Sequence, residues 1–181
     1  GDVLREAPVD IGARTTAGEL HDELAALGAR LIVEVLAQCA ENGGGAITRR
    51  AQASEGVTYA HKLTRDEARI DWTQPAAQVD RNIRAFNPWP GAAALHQGQP
   101  LKLLRSFLPE SAAVDPDADV DVDAPPGTVL GLRGDALDVV CGDRRVVAIT
   151  ELQRAGRRPV SARDFLNAEP RASGDARMQW L

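Results

Sequence analysis

This 181-residue chain is poor in the residue types that support cross-linking, metal binding or base stacking. It has two cysteines, Cys39 and Cys141, too far apart for any metal-ligand spacing. A disulfide scaffold and a zinc module are therefore excluded, and both are read as buried thiols in a reducing compartment. The three histidines, His21, His61 and His96, form no pair with ligand spacing. No apolar run approaches the roughly 20 residues that span a bilayer. Aromatic residues make up 4% of the chain, which argues against a binding mode built on stacked bases. The first residue is Gly1, and no signal-peptide pattern follows it. The expectation is a chain that begins partway through a longer protein.

The charge is unevenly distributed. Formal net charge is −5, with 26 acidic and 21 basic residues. Residues 110–123 hold Glu110, Asp115, Asp117, Asp119, Asp121 and Asp123 with no Lys or Arg. Without those six acids the remainder is close to neutral. The segment alternates Asp with Ala, Val and Pro and reads as a solvated or partly disordered insertion. The reverse bias lies in residues 144–163, where Arg144, Arg145, Arg154, Arg157, Arg158 and Arg163 face one acid, Glu151. Guanidinium groups in such number can hold a phosphate backbone by charge-assisted contacts, or form no more than a solvated basic face.

Periodicity divides the chain into three parts. Residues 3–11 could form one strand. Thr16 and Glu19 make a capping box, in which each side chain satisfies a backbone N–H that the first helical turn leaves unpaired. Leu20, Leu24, Leu27, Leu31 and Val35 then line one helical face, and Gly43, Gly44 and Gly45 stop the helix. A strand and a helix cannot make a core alone, so residues 1–50 read as the end of a larger domain. Residues 51–72 read as an ordered linker, in which Asp66, Glu67 and Asp71 have capping or ion-pair roles. Pro75 opens a short helix carrying Val79, Ile83 and Phe86. Asn87-Pro88-Trp89-Pro90-Gly91 ends it, because proline disfavours the helical conformation in the residue before it. Strands follow over 92–96, 100–108, 128–132, 137–141 and 144–152, separated by glycine turns, and Ser161 caps a last helical turn. Five short strands over residues 73–181 suggest a small OB-like barrel. The fold class is thus α+β.

Three blocks carry a family resemblance. Residues 59–63 (YAHKL) with 67–72 (EARIDW) resemble the linker of methionyl-tRNA formyltransferases. Residues 83–91 (IRAFNPWPG) resemble the entry into that family's C-terminal domain. Residues 152–167 (LQRAGRRPVSARDFLN) resemble its last strand and following loop, although the family more often has two lysines where Arg157 and Arg158 stand. The blocks occur in the family order, and the resemblance weakens in the acidic insertion and over residues 173–181.

The resemblance implies a Rossmann-like N-terminal domain that binds 10-formyltetrahydrofolate and a C-terminal barrel that helps to hold initiator tRNA. The formyl group passes to the amine of methionine esterified to that tRNA. The family's catalytic Asn, His and Asp would lie upstream of Gly1, and Asp2 is not the equivalent of that Asp. No catalytic residue is therefore assigned, and the fragment alone is expected to be inactive, with no cofactor or metal of its own. Lys102, Arg105, Arg154, Arg157, Arg158 and Arg163 are expected to form a tRNA-binding strip. Strict alternation, however, puts Lys102 and Arg105 on opposite faces of their strand. Phe86, Asn87, Pro88, Trp89 and Pro90 are expected to plug the space between barrel and linker, the alternative being a base-stacking surface. A cytoplasmic monomer is expected. Two other readings are a sugar-nucleotide formyltransferase, which shares the two-domain plan, and a non-enzymatic OB-type nucleic-acid-binding module.

Overall fold

Thr16 opens the first helix as its spacing from Glu19 predicts. The Thr16 amide donates to Glu19 Oε2 at 2.9 Å, and the Glu19 amide donates to Thr16 Oγ1 at 3.3 Å. Helix α1 then runs over Ala17–Glu41. The computed structural model describes residues 1–41, 48–110, 124–169 and 178–181, which form two units, Gly1–Lys62 and Leu63–Leu181. The glycine stop at 43–45, the acidic insertion from 111 to 123 and residues 170–177 lie outside the described residues.

In the first unit the leucine stripe is the less exposed side of α1, but only Val35 on it is buried, and Leu24 remains 48% exposed. Ile32, Val33 and Leu36 are exposed as well. The strand expected over residues 3–11 does not form. Val3 makes one antiparallel bridge to Arg50, with amide–carbonyl distances of 2.7 and 3.0 Å, and the Arg50 guanidinium pairs with Glu6. A strand needs a continuous partner, and one bridged pair supplies none. Cys39 is half-buried rather than buried, whereas Cys141 in the second unit is enclosed.

The second unit starts inside the expected linker. Ala68, Ile70 and Trp72 are 2–4% exposed and belong to the core. The Ile70 amide donates to the Ala93 carbonyl at 2.8 Å, and the Ala93 amide donates to Ala68 at 2.8 Å. Thr64 and Glu67 form a second reciprocal cap, and Asp71 accepts from the Thr73 amide and hydroxyl at 3.0 and 2.6 Å. These contacts fix a path that weak periodicity leaves unread. Helix α2, Ala76–Ala85, starts after Pro75, and Asp143 from a distant turn caps the Ala76 amide at 3.1 Å. Its buried Ala76, Val79 and Ile83 pack against the sheet.

The strands are β1 (Ala92–His96), β2 (Gln99–Phe107), β3 (Val129–Arg133), β4 (Ala136–Val140), β5 (Val146–Arg154) and β6 (Val160–Ser161). Gln97 and Gly98, both at positive φ (51° and 76°), turn β1 into β2, the signature of a two-residue hairpin loop. The ladder is antiparallel, in the order β1-β2-β5-β4-β3 with β6 on β5. No β1–β3 pairing joins its ends among the described residues, so the sheet is open where the sequence suggested a closed barrel. Both edges instead meet the last four residues. Leu95 and Leu181 exchange backbone hydrogen bonds at 2.7 and 3.1 Å. On the other side, Val129 donates to Met178 at 2.8 Å and Trp180 donates to Gly127 at 2.9 Å. Helix α3, Ala162–Asn167, is capped by Ser161, whose Oγ accepts from the Asp164 amide at 3.0 Å. Its Phe165 joins Leu101, Leu103, Leu137, Ile149, Leu152 and Trp180 in the core.

Candidate nucleic-acid interface

Two irregularities on β2 and β5 decide which cations share a face. Lys102 pairs with Gln153, Leu103 with Leu152, and Arg105 with Glu151, leaving Leu104 as an extra residue on β2. A further shift follows before Ser106 pairs with Ile149. Such a bulge offsets the two-residue alternation of a strand. Leu103 and Ser106 thereby both point inward, and Lys102 and Arg105 both stay exposed. The opposite-face expectation for Lys102 and Arg105 is corrected on this point. Arg105 faces Glu151, with Nε to Oε2 at 3.7 Å.

Lys102 crosses the Phe86–Gly91 turn. A Cβ built on Gly91, which sits at φ +93°, would lie 3.2–3.3 Å from the outer Lys102 side chain. The turn is held by Asn87 Nδ2 donating to Leu104 O at 2.6 Å and by the Gly91 amide donating to Phe86 O at 2.9 Å. The Asn87–Pro88 and Trp89–Pro90 peptides are cis. Phe86 packs on the core, but Trp89 is 55% exposed and plugs nothing within this unit.

Beyond β5 the chain turns through Gly156, at φ +69°, and the Arg157 amide returns to the Arg154 carbonyl at 3.0 Å. Gln153 Nε2 donates to the Arg157 carbonyl at 2.6 Å, fixing the loop to the face that carries Lys102. Arg157 and Arg158 are exposed, and among the described residues neither guanidinium has a carboxylate partner.

Arg154 and Arg163 leave this face. Arg154 pairs with core-facing Leu101, so it points to the inner side of the sheet end. There its guanidinium lies 4.7 Å over the Phe165 ring and binds the enclosed carboxylate of Glu169. Arg163 Nε donates to Asp135 at 2.8 Å, and its Nη2 donates to Gly134 O at 2.9 Å. The six expected tRNA-binding residues therefore do not make one continuous strip. Lys102 and Arg105 share the exposed face of β2, Arg157 lies beside Arg154 at the end of the β1–β2 hairpin, and Arg163 is held apart by Asp135.

Sequence reading missed the environment of His96. It ends β1 on the inward side, 6% exposed, with its ring edge-on to Phe165 at 5.3 Å. Nε2 is 3.1 Å from Glu169 Oε2 but is not aligned for a hydrogen bond. Burial, and then the Arg154 charge, hold the imidazole below its ordinary 6.5, so it is neutral at pH 7. Gln97 Nε2 reaches the same carboxylate at 3.3 Å. No spacing rule links Glu169 to a hairpin far earlier in the chain; only the fold brings them together. His21 is exposed beside Asp22, and His61 is exposed. Among the described residues, no group of three or more His, Cys, Asp or Glu is placed to hold a metal ion.

Residues 62–170 match the family model described as formyl transferase, C-terminal domain. The chain belongs to that family. The chain is 45% identical over 166 residues to a methionyl-tRNA formyltransferase of Methylibium petroleiphilum. It is 44% identical over 171 residues to one of Chromohalobacter salexigens. Each alignment covers 92% of this chain and 48% of the relative, so the chain spans about half the length of the curated relatives it matches. Among solved structures, a variant of HypX from Aquifex aeolicus superposes with a TM-score of 0.65 at 20% identity, over 98% of this chain and 32% of that one. HypX in complex with tetrahydrofolic acid superposes at 0.53 and 23% identity, over 75% and 22%. At such identities these likenesses establish the fold alone.

Proposed function

We propose that this chain is the tRNA-holding part of a methionyl-tRNA formyltransferase. The carrying observation is the set Lys102, Arg157 and Arg158, exposed cations with no carboxylate partner among the described residues, on a domain whose curated relatives bear that name. Unneutralised guanidinium and ammonium groups at a surface attract phosphate and release its counterions, which gives affinity without sequence reading. The OB-like reading of the second unit rests on residues 178–181, which bridge the two sheet edges by backbone hydrogen bonds.

In the whole enzyme, 10-formyltetrahydrofolate donates the formyl group to the amine of methionyl initiator tRNA. We assign that chemistry, with its Asn, His and Asp, to the part of the relatives that this chain does not match. The 181 residues alone are then inactive and monomeric, working in the cytoplasm where initiation takes place. Fluorescence anisotropy with initiator and elongator tRNA over a range of salt tests the assignment. Binding of both, steeply weakened by salt and with little preference, is expected. No binding at 50 mM salt would sink it, and formylation of charged initiator tRNA by this chain alone would refute the division of labour.

A further inference from the structure

A hollow of about 260 Å³ opens at the end of the β1–β2 hairpin, lined by His96, Gln97, Gln99, Arg154, Ala155 and Arg157, with Pro100 and Leu101. Its walls carry two guanidinium groups and two primary amides, all able to donate, and among the described residues no carboxylate lines it. His96 is enclosed there, with Nδ1 lacking any hydrogen-bond partner among the described residues. The nearest acid, Glu169, has its side chain 7% exposed and is held by Arg154. A carboxylate enclosed to that degree needs a cation, and Arg154 is the cation it has taken.

We propose that this hollow seats one phosphate group of the bound RNA, with Arg157 as its main ligand and Arg154 as a second, over which Glu169 competes with the phosphate. The proposal rests on the RNA-binding reading above and adds to it a place and an internal competitor. Arg157 has no carboxylate partner among the described residues and can meet a phosphate with a full charge. Arg154 keeps its position by lying over Phe165, but Glu169 neutralises it, so it contributes little counterion release. Gln99 and Gln97 complete the seat with neutral donors. A phosphodiester and free inorganic phosphate present the same oxygens, and the experiment separates them.

The 181-residue chain is titrated with inorganic phosphate while its backbone amide signals are followed by NMR. Arg157→Ala and Glu169→Gln are then compared in RNA binding across a salt series. Phosphate should move the signals of Gln97, Gln99, Ala155 and Arg157. Arg157→Ala should weaken RNA binding about tenfold and lower the log–log salt slope by about 0.9. Glu169→Gln, which removes the competing charge while keeping an acceptor for Arg154, should tighten RNA binding about fivefold and steepen the slope. Should that variant fail to fold, the phosphate titration and the exposed Arg157 still decide the matter. RNA binding with unmoved hollow signals and an unchanged slope in Arg157→Ala would overturn the seat and leave the RNA reading standing. Phosphate binding at these signals without RNA binding would leave a seat for free phosphate alone and overturn the proposal together with the RNA reading.

Discussion

The indoles of Trp72 and Trp180 lie with ring centroids 6.0 Å apart and planes tilted by 46°, joining the start of the second unit to its end. Trp180 is fully buried and also meets Phe165 edge-on at 6.2 Å. The backbone on either side of it holds both open edges of the sheet. One residue thus links the C-terminal segment to β1, to the approach to β3 and to α3.

Trp180→Ala should therefore lower the stability of the second unit by about 3–5 kcal/mol, the range for emptying a core aromatic site. Trp89→Ala, at a side chain more than half exposed, should stay within about 0.5 kcal/mol. Urea denaturation of both variants, with intrinsic fluorescence as the probe, measures the contrast. Equal losses would mean that Trp180 does not have the central packing role its contacts give it.

Gly142 tests a close approach between two backbone segments. Its amide donates to Gln74 O at 3.0 Å, and an added Cβ would lie 1.7 Å from Thr73 O. The neighbouring Asp143 caps α2, so displacing this turn also loosens the helix start. Gly142→Ala should cost about 3 kcal/mol, the upper end for forced overpacking. Gly134→Ala is a weaker test: nothing lies within 4 Å of its Cβ position, and only the positive φ of 59° opposes the side chain. A lower midpoint for the Gly134 variant than for the Gly142 variant would contradict this ordering.

Cys141 gives a pH dependence with a definite sign. Burial, and then nearby Asp143, push its thiol up to about 12 from an ordinary 9.0. Below pH 9 the thiol is protonated in both folded and unfolded chains, and its contribution is fully present. Above pH 9 only the unfolded chain loses the proton, so stability falls by about 1.4 kcal/mol per pH unit until the folded thiol itself ionises near 12. Cys141→Ala should remove that slope from a series of urea curves between pH 8 and 11. Native alkylation should reach half-buried Cys39 first and Cys141 only on unfolding.

What the sequence reveals follows from how far each determinant reaches. The Thr16–Glu19 box, the Ser161 cap and the glycine turns act within a few residues and can be read directly. The burial of Trp72 depends on Trp180, and the outward turn of Arg105 depends on an extra residue at Leu104. Neither leaves a local pattern. The site divides in the same way. Residues 153–158 show the loop cations in sequence, but the neutralisation of Arg154 by Glu169 and of Arg163 by Asp135 needs the tertiary fold. The strand expected at 3–11 failed for the converse reason, because a strand-like composition does not supply a partner edge.

The arginines can be sorted by whether an acid already faces them. Arg157→Ala with Arg158→Ala removes two cations that have no carboxylate partner among the described residues. The log–log salt slope of RNA binding should then fall by about 1.4–1.8, with nearly the same loss for initiator and elongator tRNA, since phosphate contacts carry no sequence information. Arg163→Ala should change the slope by much less, because Asp135 already sits 2.8 Å from its Nε. Arg105→Ala should fall between them, its Glu151 contact being longer at 3.7 Å. Anisotropy titrations from 50 to 300 mM salt give all three slopes. A drop for Arg163→Ala as large as for the double variant would show that RNA strips the arginine from Asp135, and the basic face would then extend across α3.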